Sequence, residues 1–162
     1  MARRVFFSFH YENDVTRSMV VRNSWTIRGK EQAGFIDKAE FEKIKRNGDA
    51  AIKKWIDNQL IGTSVTVVLI GAETLDRKYI QYEIEQSYKR GNAILAVKVG
   101  SIKDFSQKTS INQSLIKIVG HKTDSSALWF NEIVDGVYDY IVNDGYNNLG
   151  TWIENAAKSK MK

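Results

Sequence analysis

The chain contains no cysteine and no proline. Without cysteine there is no disulfide framework, no thiolate metal site and no thiol nucleophile. Its two histidines, His10 and His121, are too few to build a histidine metal centre. No metal centre is therefore expected. The lack of proline carries no functional reading. Long apolar runs are missing as well. None approaches the roughly 20 residues that a membrane helix needs, so no membrane partner is expected. The opening "MARRVFFSFHYEN" has two arginines, but its apolar run is short and lacks a small-residue cleavage pattern. It is not read as a signal peptide, and a cytoplasmic address is expected by default.

Concentrated charge is missing too. The net charge is +5 and the isoelectric point about 9.3. Yet the basic residues are scattered: Arg3 and Arg4, Lys43 to Arg46, Lys53 and Lys54, Lys89 and Arg90, and the tail. No block marks a nucleic-acid surface, so no nucleic-acid partner is expected, although such a protein can attract an anionic small molecule. At 162 residues the chain suits a single domain, 1–162, with a real core.

What is present alternates. "RVFFSF" at 4–9 is β-branched and aromatic, as in a buried parallel strand. "ENDVTRSMVVRNSW" predicts a helix capped by Asn13 or Asp14. "AGFID" at 33–37 predicts a short strand. "DAAIKKWIDNQL" spaces its apolar residues as a helix does, and Gly62 with Thr63 ends it. "SVTVVLIG" at 64–71 is the clearest strand. A helix over 76–90 follows, closed by Gly91-Asn92, and "AILAVKV" at 93–99 is another strand. The polar stretch 101–131 reads as a loop with room for a short strand near "LIKIVGHKTD". "VYDYIVNDGYNN" predicts the last strand and turn, and "NLGTWIENAAKSK" a last helix capped by Asn147 or Asn148. Alternating strands and helices of this kind argue for a parallel sheet covered on both faces. Ligands of such folds sit beyond the carboxyl ends of the strands.

Two carboxylates in "YIQYEIEQSY" stand two residues apart on the helix over 76–90. At about 100° per residue, Ile80, Ile84 and Tyr88 mark a buried stripe. Glu83 falls at the rim of that stripe beside Tyr79, and Glu85 on the far side, facing water. A rim carboxylate is either a boundary charge paired with a nearby cation or a working group, and spacing alone does not choose.

Three stretches, "RRVFFSFHYENDVTRSMVVRNSW", "TSVTVVLIGAETLDRKYIQYEI" and "YDYIVNDGYNNLGTWIENAA", stand in an order that resembles the TIR-like proteins of the Thoeris antiphage defence system, of the ThsB type. The resemblance runs over about 3–100 and 136–158. It implies a flavodoxin-like three-layer sandwich around a five-stranded parallel sheet. It implies an enzyme that cleaves NAD at the nicotinamide–ribose bond and makes a cyclic or modified ADP-ribose. That product would be a diffusible nucleotide signal for a separate effector protein. NAD would be a substrate and not a cofactor, the trigger would be phage-derived, and a homo-oligomer could complete the site. The family's catalytic glutamate follows an aromatic-x-x-x-Glu pattern, matched here by Tyr79 and Glu83, with tyrosine where many relatives have tryptophan.

That chemistry leaves positive charge on the ribose C1 and ring oxygen, which a nearby carboxylate stabilises. Ser8 and His10, at and just past the end of the first strand, are candidates for ribose or phosphate contacts, against a strand-end serine and a loop histidine. Phe6 is a candidate to stack in the pocket, against core packing. Asn23 and Arg22 follow from the first helix, Arg22 as a pyrophosphate partner or a solvated charge. Asp37 would bind a ribose hydroxyl or cap a helix. Gly71 allows a tight turn, and no Walker or GxGxxG loop is present. A non-catalytic TIR adaptor is the alternative. A receiver domain is disfavoured, because "FSFHYEN" offers only Glu12 as an acid. The loop 101–131 is long enough to be mobile and would be what a trigger orders.

Overall fold

Val5–Ser8 (β1), Val65–Ile70 (β3) and Ala93–Lys98 (β4) are almost wholly buried along their length, as a strand covered on both faces must be. The computed structural model describes residues 4–27, 32–33, 43–104 and 106–160. These three strands pair in parallel, Val5 opposite Val65 and Val65 opposite Ala93. Gly136–Asp139 (β7) adds to the far side of β4, also in parallel. On the other edge Gln32–Ala33 (β2) pairs with Val5 and Phe6. The order is β2-β1-β3-β4-β7. Four strands make up the body of this sheet. The strand expected at 33–37 is represented by the two-residue β2, and Phe35 to Asp37 lie outside the described residues.

Helices cover both faces because side chains alternate along each strand. Val5, Phe7, Val67 and Leu95 point to one face. There they pack on Val21 of Tyr11–Ile27 (α1) and on Leu149, Trp152 and Ile153 of Gly145–Lys160 (α5). Phe6 points to the other face, against Ile52, Ile56 and Leu60 of Asp49–Leu60 (α2). Val68, Ile70 and Ile94 meet Ile80 and Ile84 of Lys78–Lys89 (α3) there. A 3₁₀ turn at Thr74–Asp76 leads into α3. No helix among the described residues is long and apolar enough to cross a membrane.

Two helix starts differ from expectation. α1 begins at Tyr11, directly after β1, so Asn13 and Asp14 fall inside its first turn. α5 begins at Gly145, and the backbone N–H groups of Asn147 and Asn148 donate to Asp144 O. The turn over Tyr140–Asp144 therefore runs directly into α5, ahead of Asn147 and Asn148.

In the stretch 101–131 the expected loop and short strand are present, and a second strand and a short helix are added. Ile118–His121 (β5) pairs antiparallel with Ala127–Trp129 (β6), and the short helix Phe130–Ile133 (α4) follows. Val119, Leu128 and Phe130 join the core under α3. The preceding segment is held by specific bonds. Gly100 N donates to Asn112 Oδ1 at 2.9 Å, Gln113 N to Gly71 O at 2.8 Å, and Leu75 N to Gln113 Oε1 at 2.7 Å. The buried Arg17 donates through Nε to Ile102 O at 2.7 Å. Polar residues that read as a loop are here the donors and acceptors that fasten it.

This packing also changes the environment of Glu85. It does not face open water. Its Oε2 accepts the His121 backbone N–H at 2.8 Å, and Lys89 lies 3.6 Å from its Oε1. The helical wheel placed Glu85 on the far side of α3 correctly, but the β5–β6 hairpin covers that side. Glu85→Ala should therefore lower folding stability by about 1 kcal/mol, the scale of one hydrogen bond to a charged acceptor. Urea denaturation checks it; an unchanged midpoint would mean that the hairpin holds without Glu85.

Candidate active site

β1 ends at Ser8, whose side chain shares a face with Phe6. That face lies under α3, and α3 brings Glu83 above Ser8. Ser8 Oγ donates to Glu83 Oε1 at 2.5 Å. Ser8 is fully buried and Glu83 is 8% exposed. Burial pushes the Glu83 carboxyl up from 4.5 to about 8, against the smaller opposing pull of the Ser8 hydroxyl. A carboxyl with one donor and little water is held mainly in its neutral form at pH 7.

α3 is fixed from beneath by a buried hydroxyl ladder. Ser87 Oγ donates to the Glu83 carbonyl at 2.7 Å. Thr66 Oγ1 on β3 lies 2.7 Å from Ser87 Oγ, and Asn92 Nδ2 donates to Thr66 Oγ1 at 3.3 Å. Because Ser87 spends its proton on Glu83 O, Thr66 must donate to Ser87. The chain of bonds runs one way, from Asn92 to the backbone of Glu83.

Glu83 opens into a cavity of about 230 Å³ between α2, α3 and the end of β1. His10 and Phe9 line it at the β1 end. The buried Ile52, Ile56 and Ile80 form apolar wall, and the half-buried Trp55 and Tyr79 add aromatic surface. Lys45, Arg77 and Lys78 line it as well, and all three are exposed, so they stand at its mouth. Ser8, His10, Tyr79 and Glu83 thus come together at the carboxyl end of β1.

Tyr79 is anchored across the cavity edge. Its hydroxyl donates to Asp49 Oδ1 at 2.7 Å, and Lys78 Nζ reaches the same oxygen at 2.7 Å. Lys53 Nζ lies 3.3 Å from Asp49 Oδ2. Lys78, with Tyr79 and Lys53, holds the Asp49 carboxyl well below the usual carboxylate range, and Asp49 in turn raises Tyr79. Below Tyr79, Tyr82 donates to Asp57 Oδ1 at 2.8 Å, and burial together with that bond pushes Tyr82 up to about 12.

Other expected residues fall elsewhere. Phe6 is fully buried against α2 and does not line the cavity. Phe9, which packs with Val5 and Phe7 in the cluster on the other face, lines it from the end of β1. Asn23 is exposed on α1, the helix that packs on the opposite face of the sheet, and does not line the cavity. Arg22, on the same helix, lies 4.0 Å from Met19 Sδ and is not a lining residue either. Asp37 and the residues around it lie outside the described residues. Trp55, Lys45, Arg77 and Lys78 were not singled out from the sequence. The one signal available was the Arg77-Lys78 pair directly before the helix of Glu83.

The carboxyl of Glu83 links folding to pH. The folded protein keeps a proton that the unfolded chain releases near 4.5, so stability falls as pH rises from about 4.5 to about 8. The full penalty is at most about 5 kcal/mol. Glu83→Gln keeps the size and loses the charge. It should melt close to the parent at about pH 4 and several degrees above it at about pH 9. Parallel melting profiles across that range would place the carboxyl in water.

The family described as "Thoeris protein ThsB, TIR-like domain" matches residues 6–104, a span that includes Ser8, His10, Tyr79 and Glu83. A protein of Bacillus cereus (strain MSX-D12), named "Putative cyclic ADP-D-ribose synthase ThsB1", is 31% identical over an alignment of 191 residues. That alignment covers 94% of this chain and 100% of the relative. On both grounds the chain belongs to the Thoeris ThsB family of TIR-like domains.

Proposed function

We propose that this protein consumes NAD, breaks its nicotinamide–ribose bond with Glu83 as the catalytic carboxylate, and closes the product into a cyclic or otherwise modified ADP-ribose. The observation that carries the reading is the buried Ser8–Glu83 pair opening into a cavity with aromatic and cationic lining. The name of the B. cereus relative supports the product class. The fold supports it through the strand order β2-β1-β3-β4-β7, the flavodoxin-like order, with the site at the carboxyl end.

The chemistry follows from the charges. The C1–N bond breaks with its electron pair leaving on nicotinamide, whose ring nitrogen starts positive. Little acid catalysis is needed. The carboxylate of Glu83 stabilises the positive charge that grows on C1 and the ring oxygen. The incoming cationic ring favours the ionised form of Glu83, offsetting the burial that keeps it neutral in the empty site. The aromatic walls, Trp55 and Tyr79, provide flat surface for a planar ring. Cyclisation then requires the far end of the same molecule to reach C1 before water does. The product would act as a diffusible signal to a separate effector, under a phage-derived trigger, with a homo-oligomer as the assembly in which the site is completed.

Glu83→Gln should lower NAD cleavage by about 10²-fold or more while the protein remains folded. Glu85→Gln should stay within a few-fold of the parent. Mass spectrometry of NAD incubations, with and without lysate from phage-infected cells, reads both rate and product. Binding of NAD with no product under either condition would favour the adaptor reading.

The pH profile separates the roles further. Catalysis needs the carboxylate, so kcat/KM should rise about tenfold per pH unit and level off near 8. Ser8→Ala removes the hydroxyl that lowers the carboxyl, so this limb should move to higher pH. A limb that stays in place, or moves down, would show that Ser8 does not tune Glu83.

A further inference from the structure

The cavity has two chemically different ends. Its buried end holds Glu83, the one carboxyl among the described lining residues, with the Ser8 hydroxyl against it. Its mouth holds three cations, Lys45, Arg77 and Lys78. The carboxylates that pair with two of these cations stand outside the lining. Glu73 Oε2 is 3.2 Å from Arg77 Nη2, and Asp49 Oδ1 is 2.7 Å from Lys78 Nζ. Asp49 also holds the Tyr79 hydroxyl, so Lys78 and Tyr79 are set in place together on one acceptor. At the buried end, burial and the Ser8 hydroxyl set the state of Glu83.

We propose that Arg77 and Lys78, with Lys45 opposite, form a diphosphate subsite at the cavity mouth, so that the protein selects a pyrophosphate-bridged dinucleotide over the bare nucleoside. This rests on the proposed function for its orientation: the nicotinamide ribose enters first, toward Glu83, and the pyrophosphate stays at the mouth. Arginine offers a planar fork of donors to phosphate oxygens, and lysine a point charge. Both cations are exposed and paired with surface carboxylates, contacts of small net value in water. Exchange for a doubly charged pyrophosphate therefore costs little. Asp49 does not leave; it keeps Lys78 and Tyr79 aligned while the other donors of the ammonium meet the phosphate. Apolar lining from the buried Ile52, Ile56 and Ile80 strengthens both electrostatic contacts by excluding water.

The test uses the full chain with Glu83→Gln to prevent turnover. Dissociation constants for NAD and for nicotinamide riboside, which has the same glycosidic bond and no phosphate, are measured by calorimetry. The same is done after adding Arg77→Gln and Lys78→Gln together, and separately after Lys54→Gln, an exposed lysine of α2 that does not line the cavity. The expected result is a loss of tenfold or more for NAD in the double substitution, with riboside affinity unchanged and with Lys54→Gln close to the parent. The salt dependence of NAD binding should also flatten in the double substitution. Unchanged NAD affinity, an equal loss for both ligands, an equal loss from Lys54→Gln, or no NAD binding at all overturns the subsite. The proposed function is scored apart from it. A protein with Glu83 intact that binds NAD in this charge-dependent way and never cleaves it keeps the subsite and loses the enzyme. One that cleaves NAD with the same KM after Arg77→Gln and Lys78→Gln keeps the enzyme and loses the subsite.

Discussion

A single buried bond, from Ser8 Oγ to Glu83 Oε1, joins the end of β1 to the middle of α3. It sets the constraint that the surrounding structure meets. A carboxyl withdrawn from water is expensive, and one hydroxyl does not repay that cost. Glu83 accordingly resides mainly as the neutral acid, raised to about 8. To keep it aimed at the cavity, α3 must not roll or slide. The ladder from Asn92 through Thr66 and Ser87 to the Glu83 carbonyl fixes the helix on the sheet side. The Tyr79–Asp49 and Tyr82–Asp57 bonds fix it to α2. The β5–β6 hairpin, fastened to Glu85, fixes the third side.

Much of this was legible because it depends on short periods. Alternation along "VFFS" puts Ser8 and Phe6 on one face, and 3.6-residue periodicity puts Glu83 at the rim of the buried stripe of α3. The resemblance to TIR-like proteins then singled out the same residue. Phe6 shows where such reasoning stops. Parity gives the face of a strand residue but not its depth, and Phe6 lies a full rung below the cavity against Ile56 and Leu60. Phe9 keeps the parity of Val5 and Phe7 and still lines the cavity, because it stands at the open end of the strand. The cations at the mouth were illegible for another reason. In sequence, Arg77 and Lys78 look like any pair of surface charges, and only the packing of α2 beside α3 turns that surface into one side of a cavity.

The stretch 101–131 holds the loop over 101–114 and the short strand within 115–124 that its composition suggests, but composition did not show the second strand, β6, or how the loop is held. Polar residues at low apolar density suggest a loop, but composition does not say whether the polar groups meet water or each other. Here Asn112 and Gln113 donate to or accept from backbone at Gly100, Gly71 and Leu75, and Arg17 reaches in from α1. Val119, Leu128 and Phe130 supply the few apolar anchors that such a segment needs. These contacts are what a trigger acting on this segment would have to make or break.

The separation of charge within the cavity is what makes the two readings of Glu83 compatible. Were Arg77 or Lys78 beside the carboxyl, it would be held as a permanent anion, and those cations would draw substrate phosphates down onto the reacting end. With the cations at the mouth and only Ser8 below, the empty site keeps Glu83 protonated and places no net charge in its apolar interior. In the proposed reaction the substrate itself then supplies the missing cation, the nicotinamide ring, at the moment that it fills the cavity. Ionisation of Glu83 and occupation of the site become one event. An empty protein of this design is a weak catalyst toward stray electrophiles, because its carboxylate exists in quantity only when a positively charged ring is already against it.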